Sequence, residues 1–329
     1  MRQSHQIKSI GRRHSHGTRK NNVCDVCEPK RPSHYKNLHI MYLMVIMVAP
    51  VFIQASPMLR KRQITPKTII LDVLRLTRGG YCQSAKLIAV GELFDFKAST
   101  MRVALTRLLT TGKIEADGSS GYRMNSNTDL ISDYIEQWKL GDLRRGEWQK
   151  DDWLMVLLPS NPDRAIRTLS QTTLQFFGFR KARNKVWVRP NNLLPALNEL
   201  RALYQLVGLE QAALLFKAAD IPYPEQFLWE STLWHTQDLQ FTYEQQLTKL
   251  THSKVRLDNL EVKDALRESF MIGGETINLL VKDPLLPDEM FCTPKREELR
   301  HAMCDYDACG HKIWTQFMGE TTLFNVSQL

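Results

Sequence analysis

One apolar pattern in the first half of the chain has the spacing of a helix with one buried face. Met101, Leu105, Leu108 and Leu109 recur at intervals that allow them to point into the same core. Residues 84–94 form another apolar run, which is separated from the first by a short polar break. We therefore predict two helices joined by a tight turn.

The opposite face of the second helix is small, basic and rich in hydroxyl groups. It comprises Ser99, Thr100, Arg102, Val103, Thr106 and Arg107. Small side chains allow a helix to enter the major groove of DNA, where arginine donates two hydrogen bonds to guanine or binds a phosphate. Ser99 is also expected to cap the helix N-terminus. Periodicity alone leaves open an amphipathic surface helix with a solvated polar face.

A predicted hairpin after this helix favours DNA binding. Gly112 is suited to end the helix, and the glycines of the 118–121 segment are suited to turn the chain back on itself. Arg123 then lies on the returning strand, where the wing of a winged helix is placed to touch backbone phosphate. We predict a two-stranded wing that carries Arg123.

Another helix is predicted upstream. Thr65 and Pro66 mark its start, because proline is favoured at the first helical position. With this helix, residues 58–128 are predicted to form a winged helix-turn-helix domain. Residues 129–147 are predicted to form a connector helix that packs on the winged helix or on a second subunit.

Residues 148–224 alternate between short apolar runs and amphipathic segments. The run 153–158 is typical of a buried strand, and further strands are predicted at 185–190 and 212–217. A helix is predicted after each of the first two strands. This order predicts an α+β domain of ferredoxin-like type.

Residues 225–329 are predicted to form a C-terminal helical domain. His301, Cys304, Cys309 and His311 lie close together in it and are candidate metal ligands. The glycine after Cys309 is expected to break the helix that carries them. We therefore favour a partly buried helix over a metal site.

The charge of the chain is unevenly distributed. The 329 residues carry a net charge of +9. Residues 58–128 hold 12 Lys and Arg against 5 Asp and Glu, a net of +7, whereas residues 129–329 hold 23 against 28, a net of −5. A basic module on an acidic body indicates a polyanion partner at the basic end. The six irregularly spaced cysteines indicate a reducing compartment, so a cytoplasmic location is expected.

Residues 1–57 differ from the rest, with 9 Lys and Arg against 2 Asp and Glu. Four residues of this extension are candidate zinc ligands, namely Cys24, Cys27, His34 and His39. Unstructured thiols are favoured over such a site. Residues 38–55 are apolar and reach the short limit of a transmembrane helix. We expect the extension to be disordered or to be sequence upstream of a start at Met58, with a membrane anchor as the alternative.

Several short motifs, spread over residues 66–318, resemble the PaaX family, the repressors of phenylacetate catabolic operons. They are Thr77-Arg78-Gly79-Gly80, Met101 to Leu108 followed by Thr111-Gly112, Trp148 with Trp153, Gly178-Phe179 with Val186-Trp187-Val188, Leu233-Trp234 with Asp238-Leu239, and Asp283-Pro284-Leu285-Leu286-Pro287-Asp288-Glu289. Each motif alone is weak, but the order of all six is fairly specific. The chain departs from the family in its N-terminal extension and at Thr111 and Lys113, where the family often has glutamate and an aromatic residue.

The resemblance implies a dimeric repressor with three parts. These are an N-terminal winged helix, a central domain similar to the small ferredoxin-like nucleases associated with CRISPR, and a C-terminal helical domain. It also implies release from operator DNA by an aryl-acyl-CoA such as phenylacetyl-CoA. By the family motif, the DNA-reading positions are Thr100, Arg102, Val103, Thr106 and Arg107.

We therefore expect a non-enzymatic, operator-binding homodimer without a metal or cofactor. One alternative is a metal-dependent nuclease centred on the ferredoxin-like domain. It would need clustered carboxylates, and Asp151 with Asp152 is the nearest pair, which we interpret as a solvated strand cap. The other alternative is a membrane-tethered regulator anchored by residues 38–55.

Overall fold

The computed structural model describes residues 64–118, 120–125, 129–160 and 163–319. These residues mix helices with two antiparallel sheets and belong to one compact unit. The candidate zinc ligands, the candidate membrane segment and the rest of the 1–57 extension lie outside the described residues. Among the residues described, no helix is both long enough and apolar enough to cross a bilayer.

The first helix, α1, spans Pro66–Leu76 and begins where the sequence predicts. Thr65 caps it, since its hydroxyl oxygen accepts a bond of 3.2 Å from the Thr68 amide. The Thr68 hydroxyl in turn accepts from the Thr65 amide at 2.8 Å. The apolar face of α1 is fully buried and consists of Ile69, Ile70, Leu71, Val73, Leu74 and Leu76. This helix therefore supplies much of the core beneath the elements that follow.

A small sheet and two helices complete the N-terminal module. The helices are α2 (Ser84–Leu93) and α3 (Ala98–Thr110), and the strands are β1 (Tyr81–Gln83), β2 (Ile114–Asp117) and β3 (Gly121–Met124). The strands lie in the order β1-β3-β2, with both pairs antiparallel. The predicted two-stranded hairpin is thus part of a three-stranded sheet. β1 was missed because three residues are too few to show an alternating pattern.

The connector consists of α4 (Asp129–Glu136) and a 3₁₀ segment, Gln137–Arg144. The Tyr134 ring lies 5.0 Å from the ring of Phe177, in the central domain. The Asp142 amide donates to Glu297 of the C-terminal region at 3.1 Å. The connector therefore packs on the central domain and the C-terminal region of its own chain, whereas the sequence predicts packing on the winged helix or on a second subunit.

The central domain is a four-stranded antiparallel sheet with two helices. In chain order the elements are β4 (Trp153–Leu157), α5 (Arg164–Phe176), β5 (Arg180–Arg183), β6 (Val186–Pro190), α6 (Leu197–Val207) and β7 (Leu214–Ala218). The strand order is β5-β6-β4-β7. β5 was missed because its sequence, Arg-Lys-Ala-Arg, has almost no apolar content. It pairs with β6 as an edge strand.

Four helices lie in the described residues of the C-terminal region. They are α7 (Tyr223–Thr232), α8 (Thr236–Leu257), α9 (Val262–Val281) and α10 (Lys295–Met318). The expected helix break after Cys309 is wrong, since Gly310 is a buried residue inside α10. Packing of α10 on α8 and α9 offsets the weak helix propensity of glycine, which costs about 1 kcal/mol relative to alanine.

Three of the motifs that are far apart in the sequence meet at one junction. The indole Nε1 of Trp234 donates to the Gly178 carbonyl at 2.9 Å. Arg189, which is buried, donates through Nη2 to the Pro284 carbonyl at 3.1 Å. The Asn192 amide donates to the Leu285 carbonyl at 2.6 Å. The loop of residues 283–289 therefore joins the central sheet to the C-terminal helices through its backbone carbonyls.

Candidate nucleic-acid interface

The polar face of α3 projects from the N-terminal module. Ser99, Thr100, Arg102, Thr106 and Arg107 are exposed, and Val103 has 51% of its surface accessible. On the opposite face Met101, Leu105 and Leu108 are buried, as predicted. The structure therefore brings all six sequence-predicted residues of α3 onto one solvent-facing surface.

Two details of α3 differ from the prediction. Leu109 is 41% exposed rather than buried, because it lies in the last turn at the edge of the apolar face. The helix begins at Ala98, and Lys97 is the N-cap residue without a side-chain cap bond. The predicted N-cap role of Ser99 is therefore wrong, and Ser99 lies inside the first turn. This position leaves its side chain on the exposed face.

A close helix crossing holds α3 in place. A Cβ atom added to Gly91 of α2 would lie 2.5 Å from the sulfur of Met101. Only glycine allows this approach without a shift of the packed methionine. The position of the exposed face of α3 therefore depends on a glycine in the preceding helix.

Two threonine hydroxyl groups on α3 donate hydrogen bonds within the helix. Thr106 donates to the Arg102 carbonyl at 3.1 Å, and Thr110 donates to the Thr106 carbonyl at 2.9 Å. The oxygen of each hydroxyl keeps acceptor capacity, and the methyl group remains as apolar surface. Thr106 is thus suited to accept a hydrogen bond from a base amino group or to contact a thymine methyl.

The two arginines lie on opposite flanks of the exposed face. Five residues at 100° per residue separate Arg102 from Arg107 by about 140° around the helix axis. Within the described part of the chain, neither guanidinium has a carboxylate within ion-pair distance. Both positive charges are therefore directed outward at the edges of a surface whose centre consists of small side chains.

Arg123 of β3 is on the hairpin as predicted, but it has a partner. Its Nε donates to Asp117 of β2 at 2.7 Å, and the two side chains form an ion pair. Both side chains are exposed. A phosphate that approaches the hairpin would therefore compete with Asp117 for the guanidinium of Arg123.

An open groove of about 450 Å³ separates α3 from the N-terminus of α1. Lys67, Arg107 and Lys113 line it. Burial, with Lys67 and Arg75 close by, lowers the pKa of Lys113 to about 8. Sequence reasoning missed Lys67 and Lys113 as candidates, because they lie outside the periodic face of α3 and only the fold brings them to it.

The turn between α2 and α3 is tied to the C-terminal region. Asp95, in the left-handed conformation at φ 62°, pairs with Arg267 at 2.8 Å and with Lys263 at 3.3 Å. Hydrogen bonds from Arg267 and Lys263 hold the pKa of Asp95 below its usual value. The Phe94 ring lies 5.0 Å from Phe270 of α9. The orientation of α3 is therefore coupled to α9, a contact that no local sequence signal predicts.

Candidate metal ligands are not gathered into a site in the described ranges. No group of three or more His, Cys, Asp or Glu side chains there is placed to hold a metal ion. Asp151 is exposed, as a solvated strand cap would be. Asp152 instead organises the loop before β4, since its carbonyl accepts from the Trp148 indole at 2.8 Å and its carboxylate accepts from Asn191.

Comparisons with known proteins bear on the fold. No protein-family model matches the chain, and no curated protein sequence matches it. Among solved structures, the uncharacterized protein Rv0674 from Mycobacterium tuberculosis is similar, with a TM-score of 0.50 and 21% sequence identity. The similarity covers 76% of this chain and 97% of that chain. It shows a related fold and nothing about function.

Proposed function

We propose that this chain is a transcriptional repressor that binds operator DNA through α3. The observation that carries the proposal is the exposed face of α3, where Arg102 and Arg107 flank a strip of small and hydroxyl-bearing residues. An α-helix enters the major groove when its centre is narrow and its edges are basic. The net charge of +7 on residues 58–128 adds attraction to a polyanion.

The proposal assigns a fold to each part of the described chain. The order α1-β1-α2-α3-β2-β3 supports a winged helix-turn-helix, with β2 and β3 as the wing. The βαββαβ order of the central domain, with strand order β5-β6-β4-β7, supports a ferredoxin-like domain. The remaining helices form the C-terminal helical domain.

The effector in this proposal is an aryl-acyl-CoA such as phenylacetyl-CoA, as the resemblance to the PaaX family implies. A ligand shifts a conformational equilibrium only if it binds one state more tightly. The pairing of Asp95 with Arg267 and Lys263 would transmit a movement of α9 to α3, because a displacement of α9 would move the turn that precedes α3. Release of DNA would then follow from reorientation of α3.

A homodimer completes the proposal, and one surface supports it. On one face of the central sheet Leu157 lies opposite Leu214, and Met155 lies opposite Phe216. Leu214 is 57% exposed and Phe216 is 40% exposed. Contiguous exposed apolar surface of this kind marks interaction sites. We assign this face, the open sheet face, to a second copy of the chain, so that two α3 helices read a palindrome.

A gel shift tests the proposal. The probe is the DNA upstream of the protein's own gene, titrated with phenylacetyl-CoA and, as the control, with free CoA. We expect a retarded band that phenylacetyl-CoA abolishes and free CoA preserves. Absence of binding to this DNA and to duplexes selected from a random pool would refute the repressor. DNA binding that phenylacetyl-CoA does not change would refute the proposed effector but not the proposed DNA-binding function.

A further inference from the structure

The groove between α1 and α3 combines an apolar floor with a basic rim. Its floor includes Pro66, Val103, Ala104 and Leu108. Its rim carries the three basic side chains Lys67, Arg107 and Lys113, and no Asp or Glu is among the residues that line it. This distribution of charge favours an anionic group attached to an apolar body.

We propose that Lys67, Arg107 and Lys113 form a clamp for a backbone phosphate of duplex DNA, with the adjoining deoxyribose against the apolar floor. This inference rests on the proposed function and adds α1 and the α3–β2 turn to the DNA footprint. It also gives the two arginines of α3 different roles. Arg107 binds the backbone, whereas Arg102, on the opposite flank, remains available to a base edge.

The position of the groove supports these different roles for Arg107 and Arg102. A helix that lies in the major groove has a phosphate strand on each side of it, and an arginine on its flank is long enough to reach either a phosphate or a base edge. Arg107 lines the groove and Arg102 does not. Lys67, in the first turn of α1, and Lys113, after the end of α3, extend the positive charge along the same flank.

The electrostatics of Lys113 agree with an anionic occupant. Its pKa is lowered by burial and by the neighbouring cations Lys67 and Arg75. A phosphate bound beside Lys67 and Lys113 would favour the charged form of Lys113 and raise its pKa.

Salt dependence of DNA binding tests the clamp. The full-length protein and its Lys67→Gln, Lys113→Gln and double variants are titrated against a selected operator and a random duplex at several salt concentrations. We expect each single variant to weaken binding to both duplexes by the same factor. We also expect the slope of log K against log salt to become shallower by about 1 for each lysine removed. Lys217→Gln, in the central sheet, is the control for loss of one positive charge and should leave the slope unchanged.

Each other outcome has a defined meaning, provided that the variants unfold at a temperature no lower than that of the parent protein. If the parent binds no duplex, the proposed function and the clamp both fail. If the parent binds and the two lysine variants keep its slope, the clamp alone is overturned. A changed ratio of operator to random affinity in these variants would assign the lysines to bases and would also overturn it.

Inorganic phosphate separates DNA from a free phosphate ligand. It is titrated calorimetrically into the parent and the double variant. Heat of binding at low millimolar phosphate that disappears in the double variant, together with unchanged DNA affinity in that variant, would assign the groove to a free phosphate and would refute the clamp. We expect no saturable binding of inorganic phosphate in this range.

Discussion

The carboxylate of Asp95, in the turn between α2 and α3, lies 2.8 Å from the guanidinium of Arg267 on α9. This ion pair joins two segments that are 172 residues apart in the sequence. The turn sets the angle between α2 and α3. A contact from α9 to the turn therefore connects the C-terminal region directly to the position of the proposed DNA-reading helix.

The Asp95–Arg267 pair leads to the first prediction. Arg267→Gln should speed amide hydrogen exchange in the turn between α2 and α3 while leaving the thermal midpoint nearly unchanged, because an exposed ion pair contributes little to global stability. Hydrogen exchange followed by mass spectrometry measures the local effect. Arg267→Lys, which keeps a positive charge beside Asp95, should keep more of the protection than Arg267→Gln. Equal exchange in the parent and Arg267→Gln would show that the pair does not hold the turn.

The pH range of this contact follows from the pKa of Asp95. Arg267 and Lys263 lower that pKa below its ordinary value of 3.8, since they stabilise the carboxylate. The pairing should therefore persist through the neutral range and be lost as the pH falls through the lowered pKa. Exchange in the turn should accelerate only under acidic conditions, after correction for the intrinsic rate.

Arg102→Ala should weaken operator binding by about 1–3 kcal/mol and reduce the preference for operator over random duplex, because a bidentate contact to guanine carries specificity. Fluorescence anisotropy with both duplexes measures the two effects. Arg201→Ala on α6, another exposed arginine, is the matched control. An unchanged operator affinity for Arg102→Ala would show that Arg102 does not contribute to operator binding.

Gly178→Ala should destabilise the protein by about 3 kcal/mol or more. Gly178 has φ 81°, and a Cβ there would lie 2.9 Å from the Cα of Pro284, so the substitution combines backbone strain with a clash against a rigid backbone. Urea unfolding measures the change. Gly79→Ala is the control, because Gly79 has φ 64° with nothing within 4 Å of the added Cβ.

This control separates strain from steric clash. Strain alone should cost about 1–2 kcal/mol at Gly79. If the two variants lose the same stability, the contact between Gly178 and Pro284 adds nothing. In that case the junction of the central and C-terminal domains would depend on its hydrogen bonds instead.

Lys113→Gln should raise the free energy of unfolding at pH 7 by up to about 1 kcal/mol, a small effect because the side chain is partly solvated. The folded-state pKa of about 8 lies below the ordinary value of 10.5, so the folded state disfavours the charged lysine. Between these two values the unfolded chain binds the proton that the folded chain has lost. Stability of the parent should therefore rise with pH across this window.

Urea unfolding at pH 7 and above pH 8 measures this dependence. The variant should lack the part of the rise that Lys113 contributes, whereas Lys217→Gln should retain it. A Lys113→Gln protein that is less stable than the parent at pH 7 would contradict the sign of the effect. That outcome would mean that Lys113 makes a net favourable contact in the folded state.

Leu214→Glu should convert the proposed dimer into a monomer, because it places a charge on the open sheet face opposite Leu157. Sedimentation equilibrium measures the mass. Val255→Glu is the control, since Val255 is 71% exposed on α8 and lies outside this face. A Leu214→Glu protein that sediments as the parent does would place the dimer interface elsewhere.

Several elements follow from local pattern alone. α1 begins at Pro66, and the buried residues Met101, Leu105 and Leu108 lie where the helical period puts them. Such elements are predictable because burial of an apolar stripe and the geometry of a cap depend on residues within a few turns. β5 was not predictable, since its basic sequence becomes a strand only by pairing with β6.

The candidate interface was also predictable from local sequence only in part. Periodicity identified the exposed residues of α3, because a helix with one buried face presents the opposite face to solvent. It did not identify Lys67 and Lys113, which flank α3 only after α1 has packed against it. Nor did it indicate that Asp117 would pair with Arg123.

The chain therefore encodes locally which face of α3 is apolar and which is basic, because that property repeats every three or four residues. The contact of Asp95 with α9, the continuity of α10 through Gly310 and the convergence of Gly178 with Pro284 depend on residues far apart in the chain. Such contacts form when packing brings distant segments together, and their free energy does not appear in any short stretch of sequence.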